Sequence, residues 1–246
     1  MQEDAKRKLQ AFLIAAILLA AARTGWIFYE RGREATLAAE QEKELQRKKD
    51  TLDADYYVSL PKLYAFDLAG AQQLAKSPVW VRIGYGTFYY PWDPVAKHAN
   101  FAHDSGLLGP LEKLQITSVV FDHAPRAPGQ KQIMAVFSKE GKSYAFSIGA
   151  QKDNDFTLYA TDMLFLEDPR LLYKHWSPAV WDAIAKHEVH PGMNELQASC
   201  SVGLGLLEGS GTGEERTLHY ANGGTPLTVT FRKGKAVQIQ PDQPPF

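Results

Sequence analysis

The stretch SPAVWDAIAKHEVHPGMNELQASCSVG (177–203), followed after a glycine-rich loop by RTLHYANGGTPLTVTFRKGKAVQI (216–239), carries the clearest structural signals in the chain. Ser177 before Pro178 is an N-cap with proline at the first helical position. Val180, Trp181 and Ile184 then share one face up to His187, and His190-Pro191-Gly192 is expected to end the helix. Asn194 and Gln197 have capping-box spacing and open a second helix, with Met193, Leu196 and Cys200 inward and Gly203 at its close. Beyond the connector Gly203–Gly213, Leu218 and Tyr220 alternate, as do Leu227, Val229 and Phe231, and then Val237 and Ile239. Asn222-Gly223-Gly224 and Lys233-Gly234 supply the turns between them. Residues 166–240 therefore predict two helices on a three-stranded antiparallel meander, with 241–246 as a tail.

Upstream, residues 55–165 read as a small, mainly β domain. The run Val79–Tyr90 is β-branched and aromatic and is stopped by Pro91 and Pro94. Leu114–Phe121, Gln132–Phe137 and Ser143–Ile148 are further strands, and Phe156–Tyr159 adds a short one. Lys139-Glu-Gly-Lys142 turns between two of them, Ala124–Gln130 is a loop, and a short helix is expected over Asp67–Ala75. Four or five short strands suggest an SH3-like β-barrel or a curled antiparallel sheet.

Residues 30–54 have the composition of a solvated helical stalk, rich in Ala, Glu, Lys and Gln. Within 1–29, the apolar run Ala11–Ala22 follows Lys6, Arg7 and Lys8. It fits either a cleaved signal peptide or an uncleaved membrane anchor of about 20 residues. Trp26, Phe28 and Tyr29 favour the anchor, because aromatic residues gather at the membrane interface. A short N-terminal tail before a long body predicts a single-pass inner-membrane protein with its soluble part in the periplasm, although the basic residues after the segment leave the orientation open. The complete expectation is α+β: an N-terminal transmembrane helix and helical stalk, a small barrel or curled sheet, and two helices on three strands.

The formal net charge is -1 and no basic stripe is present, so nucleic acid is not expected as a partner. Cys200 is the only cysteine, which excludes an intrachain disulfide and a cysteine-built zinc site. The helix, Gly192-Met193, helix and three-strand pattern of 177–240 resembles the SmpA/OmlA (BamE-like) family of small envelope proteins. Gln197, Gly203 or Gly205, Tyr220, Leu227-x-Val229-x-Phe231 and Gly234-Lys-x-Val237 carry the resemblance. The family's Leu-Gly-x-Pro and its lipoprotein cysteine are missing. The resemblance implies a scaffold that binds other envelope proteins without catalysis.

No catalytic constellation stands out and no cofactor is expected. The aromatic cluster Tyr85, Phe88, Tyr89, Tyr90 and Trp92 exceeds what the core of one strand uses and is read as a partner-binding surface, against the plainer reading that half of it fills the barrel. The leading expectation is accordingly a membrane-anchored, extracytoplasmic interaction or assembly module whose partner is an envelope protein. The alternative is a metal-dependent hydrolase using His98, His103 and Asp104, three potential ligands within one loop. His187-Glu-Val-His190 is one residue too short for the zinc-protease helix. Gly209-Ser-Gly-Thr-Gly213 lacks the Gly-Lys-Ser/Thr ending of a phosphate loop and precedes a strand, so it is read as a connector.

Overall fold

The computed structural model describes residues 53–242 apart from 126 and 210–213, together with 23, 25–26, 29–34, 36–37 and 40–43. The chain divides into two units between Tyr57 and Val58. In the first unit the described residues from 23 to 43 are helical and exposed. Ala54–Tyr57 forms a 3-10 turn in which the Tyr56 and Tyr57 rings meet edge-on.

The second unit is mostly β, with fourteen strands in three sheets among the described residues. In chain order these are β1 (Val79–Val81), β2 (Phe88–Asp93), β3 (His98–Ala99), β4 (Gly106–Leu107), β5 (Lys113–Leu114), β6 (Ile116–His123) and β7 (Gln130–Lys139). They continue as β8 (Lys142–Lys152), β9 (Asp155–Leu158), β10 (Leu164–Phe165), β11 (Gly205–Leu207), β12 (Glu215–Tyr220), β13 (Leu227–Arg232) and β14 (Lys235–Pro241). Five short α-helices accompany them among the described residues, α1 (Leu68–Ala71), α2 (Ala160–Met163), α3 (Pro169–Leu172), α4 (Pro178–Ala185) and α5 (Glu195–Val202), with 3-10 turns at Gln72–Ala75 and Asn222–Gly224.

The largest sheet runs in the order β3-β2-β8-β7-β6, with β4 also on β2 and β9 also on β8. Its backbone is the β7–β8 hairpin, whose turn residues Glu140 and Gly141 both have positive φ, 53° and 75°. Such a turn matches the right-handed twist of the strands it joins. Strand alternation then divides the side chains of β7 between two cores. Ile133, Ala135 and Phe137 pack with Val119, Phe146 and Ile148 on one face. Met134 and Val136 pack with Ala99 and Ala145 on the other, flanked by Tyr90, Trp92, Phe101 and Val120. Burial on both faces explains why this hydrophobic run is continuous rather than alternating.

Register shifts at Ile116/Ser118 and Ile133/Met134 mark bulges, which bend strands and increase their twist. The sheet curls until its two outer strands meet: the Ala99 amide on β3 donates to the Asp122 carboxylate on β6 over 2.8 Å. A second, three-stranded sheet has the order β10-β1-β5. The single strand expected over Val79–Tyr90 is thus two strands in two sheets. The chain turns at Gly84, which lies so close to Pro110 that a Cβ would collide, and at Tyr85, whose φ is 57°.

The C-terminal block is organised by its caps. The Ser177 side chain accepts from the Val180 amide, and Pro178 opens α4. In α5, Asn194 and Gln197 exchange hydrogen bonds, with Asn194 Oδ1 accepting from the Gln197 amide at 2.8 Å and Gln197 Oε1 accepting from the Asn194 amide at 2.9 Å. The block's sheet has the order β11-β12-β13-β14. Trp181, Ile184, Met193, Cys200, Tyr220 and Phe231 are among the residues of its core.

Several expectations are corrected. The body is not a stalked barrel with a BamE-like end of two helices and three strands; it is a predominantly β unit. The first residues of the expected glycine-rich connector form a fourth strand, β11, because Gly205 lets the backbone lie directly against the Tyr220 ring. The expected four or five strands become a seven-stranded curl that also takes in β3 and β4. Helix α4 ends at Ala185, before the turn expected at His190–Gly192, and His187 just beyond its C-cap adopts a positive φ of 57°. Among the described residues no helix is long and apolar enough to cross a membrane. The transmembrane helix, the signal-anchor and the single-pass inner-membrane placement with a periplasmic body are corrected on that ground: the helical residues described at 29–34 include Glu30, Arg31, Arg33 and Glu34, all exposed. The core of the expected span, Ala11–Ala22, lies outside the described residues.

Candidate functional site

Two features of the curled sheet stand out chemically, a cavity and a cluster of ionisable side chains. The cavity has a volume of about 660 Å³ and is bounded by Phe88, Tyr90, Phe101, Asp104, Gln132 and Ser147, with further loop residues. Phe88 is 51% exposed, an unusual cost for a large apolar side chain with a β-sheet core beside it. Tyr90 and Phe101 meet edge-to-face at 5.1 Å, which fixes both rings in the cavity wall.

The five aromatics singled out from sequence separate by role. Tyr89 is buried and packs edge-on against Phe137 and Tyr144. Tyr85 wedges against the backbone of Gly203 and Gly223, where no side chain could fit beside its ring. Trp92 belongs to the inner core of the curl with Ala99 and Met134. Phe88 and Tyr90 line the cavity.

The ionisable cluster lies where β3 meets β6. Asp122 is only 8% exposed. Its Oδ1 accepts from His98 Nδ1 at 2.7 Å, from His123 Nδ1 at 3.1 Å and from the His123 amide at 2.7 Å. Its Oδ2 accepts from the Ala99 amide at 2.8 Å. An ionised carboxylate can only accept, so both imidazoles carry their proton on Nδ1 in this arrangement. Burial pushes the Asp122 carboxyl upward, but the amides of Ala99 and His123 and the two imidazoles outweigh it, and the group is held below the ordinary aspartate range. The imidazole rings stack 4.4 Å apart, and Phe101 sits edge-on to both.

The loop trio expected as metal ligands is not assembled. His98 groups with Asp122 and His123, whereas His103 and Asp104 join no such group among the described residues. Asp104 instead lines the cavity. Sequence reasoning missed Asp122 and His123 because the strand predicted over Leu114–Phe121 stopped one residue short of them. The available signal was an acidic residue directly continuing an apolar strand, a position that is half-buried at least and requires partners. His187 and His190 do not converge either: His187 Nδ1 donates to the Ser201 carbonyl, and His190 pairs with Glu188. Cys200 is buried in the C-terminal core. Compared with known protein families, curated proteins and solved structures, the chain matches none.

Proposed function

We propose that the protein is a non-catalytic binding module whose partner is another protein, one segment of which enters the cavity over Phe88, Tyr90 and Phe101. The observation that supports this reading is the exposed Phe88 at the rim of a cavity of about 660 Å³ already walled by two fixed aromatic rings. Rigid aromatic side chains lose little conformational entropy on binding and typically dominate the energy of protein interfaces. The polar groups of Asp104, Gln132 and Ser147 on the same wall suit a peptide, whose backbone needs donors and acceptors along with apolar anchoring.

Selection of a displayed peptide library on the full-length protein tests this reading. The enriched peptides are expected to share an apolar anchor, and their binding should weaken at least tenfold in Phe88→Asp. Val95→Asp, which changes a residue that is 91% exposed and outside the cavity wall, should leave binding unchanged. Selection that enriches nothing, or binding that survives Phe88→Asp and Tyr90→Ala alike, would overturn the proposal.

A further inference from the structure

The seam of the curled sheet brings together side chains that are remote in sequence and on opposite edges of the strand order. We propose that His98, Asp122 and His123 form a binding site for one divalent transition-metal ion of the zinc class, which clasps β3 to β6. This goes beyond the peptide-binding reading and does not depend on it.

The chemistry of the donor set selects the ion. Two imidazole nitrogens and one carboxylate oxygen suit zinc, cobalt, nickel or iron(II), whereas calcium and magnesium require mostly oxygen. Three protein ligands with a fourth position left open is a common arrangement for zinc. Each residue offers one ligand atom, and the three atoms all lie within 4.8 Å of one another.

Distances fit with a small adjustment. Metal–ligand bonds of about 2.1 Å in tetrahedral geometry separate ligand atoms by roughly 3.4 Å. The two histidine nitrogens stand 2.7 and 3.1 Å from Asp122 Oδ1, so they must withdraw by about 0.7 and 0.3 Å respectively. The histidine side chains are 41% and 58% exposed and have room to do so, while the carboxylate, 5% exposed, stays anchored by the Ala99 amide. That amide holds Oδ2 and supplies the outer hydrogen bond that orients a ligating carboxylate.

On each neutral imidazole the proton moves from Nδ1 to Nε2 as the metal takes the Nδ1 lone pair; an imidazolium would release one proton to solvent. The His98–Asp122 hydrogen bond across the seam is thereby replaced by coordinate bonds through the ion, while the Ala99 amide keeps its bond to Oδ2. A bound ion would consequently tie the two free edges of the curl together.

Titration of the chelator-treated full-length protein with zinc chloride, followed by calorimetry, tests the site. One ion per chain with a dissociation constant in the micromolar range or tighter is expected, together with a higher melting temperature. Cobalt(II) should give the intense visible absorption of a tetrahedral or five-coordinate site. His123→Ala, which removes a mostly exposed side chain and leaves the fold intact, should weaken zinc binding at least tenfold and abolish the melting shift. His98→Ala should do the same, and His103→Ala should change neither. Failure to bind one zinc ion, binding unaffected by His98→Ala and His123→Ala, or binding lost in His103→Ala would each overturn the assignment.

Discussion

The curled sheet and the C-terminal helix–sheet block both have aromatic cores, but they are specified over different distances along the chain. In the C-terminal block the deciding interactions are local. Ser177 caps Val180, Asn194 and Gln197 cap each other, and β13 reaches β14 through the two-residue turn Lys233-Gly234, with φ of 50° and 74°. In the curled sheet the β7–β8 hairpin, with its neighbours β6 and β9, and the short β2–β3 hairpin are comparably local, but the pairings that join them are not. Strand β2 crosses to β8 through Tyr90↔Ala145, and β3 reaches Asp122 on β6 through the Ala99 amide and the His98 imidazole. Loop-closure entropy must be overcome before such pairings gain anything, so the sheet depends on a dense aromatic core where the C-terminal block depends on caps and turns.

The largest expected effect tests that core. Phe137 is fully buried and its ring meets Tyr89, Tyr144 and Phe146 within 6 Å. Phe137→Ala should lower stability by about 4 kcal/mol, measured as a shift of the urea midpoint. If the curl and the C-terminal block are one cooperative body, fluorescence from Trp181 and far-ultraviolet circular dichroism will report the same midpoint. Two separated transitions would instead make the blocks independent, and the comparison would concern two folding units.

The junction between them is the next test. Gly203, at the end of α5, has φ of 90°, and a Cβ there would lie 2.6 Å from the Gly84 carbonyl oxygen. The same carbonyl accepts from the Leu204 amide at 2.8 Å. Gly203→Ala combines an unfavourable backbone conformation with a clash against rigid backbone, and should cost about 3 kcal/mol. Because the clash partner belongs to the segment joining β1 to β2, both blocks should lose stability together. A change of less than about 1 kcal/mol would mean that the junction yields and that the blocks are loosely coupled.

The capping box measures how far local signals carry the C-terminal block. Asn194→Ala should cost about 1 kcal/mol by thermal or urea unfolding. Gln197→Ala should cost a similar amount, and the double variant less than the sum, since either change already breaks the reciprocal pair. Additive effects would show that the two hydrogen bonds act independently.

This contrast also explains what could be read from the sequence. Pro178 after Ser177, Gln197 three residues beyond Asn194, and the Glu140-Gly141 turn each combine cause and consequence within a few residues, and the elements start or turn where those residues predict. Strand β11 escaped because its reason is remote: Gly205 makes room for the ring of Tyr220. The division of Val79–Tyr90 into β1 and β2 escaped likewise, since Gly84 and Gly86 within an aromatic run do not reveal that Pro110 presses against the first of them. At the site, His98 was visible as a potential ligand. Its true neighbours were not, because the strand order that puts β3 and β6 at opposite edges says nothing of the curl that rejoins them. The apolar content of Ala11–Ala22 pointed toward a membrane, whereas no described helix has the length or hydropathy to cross one.

The smallest expected effect has the opposite sign and concerns Tyr220, the residue that fixes β11. Its side chain is fully buried, and its hydroxyl makes no hydrogen bond of ordinary geometry among the described residues. A buried hydroxyl without a good partner loses its hydration and recovers little in return. Tyr220→Phe keeps the ring against Gly205 and removes that loss, so it should stabilise the protein by about 1 kcal/mol near neutral pH. The difference should then depend on pH in a defined direction. Burial pushes the Tyr220 phenol far above its ordinary range, and neighbouring Ser199 offsets only part of the shift. In the unfolded chain the phenol ionises near pH 10, while in the folded chain it remains protonated well above that. The folded state's relative stability is therefore intact below pH 10 and declines as pH rises beyond it, by at most about 1.4 kcal/mol per pH unit from this group. Tyr220→Phe lacks the group, so its advantage over the wild type should widen between pH 10 and 11 in matched urea titrations. An advantage that stays constant over that interval would place the Tyr220 hydroxyl in contact with water, and a loss of stability at neutral pH would reveal that it has a strong hydrogen-bond partner.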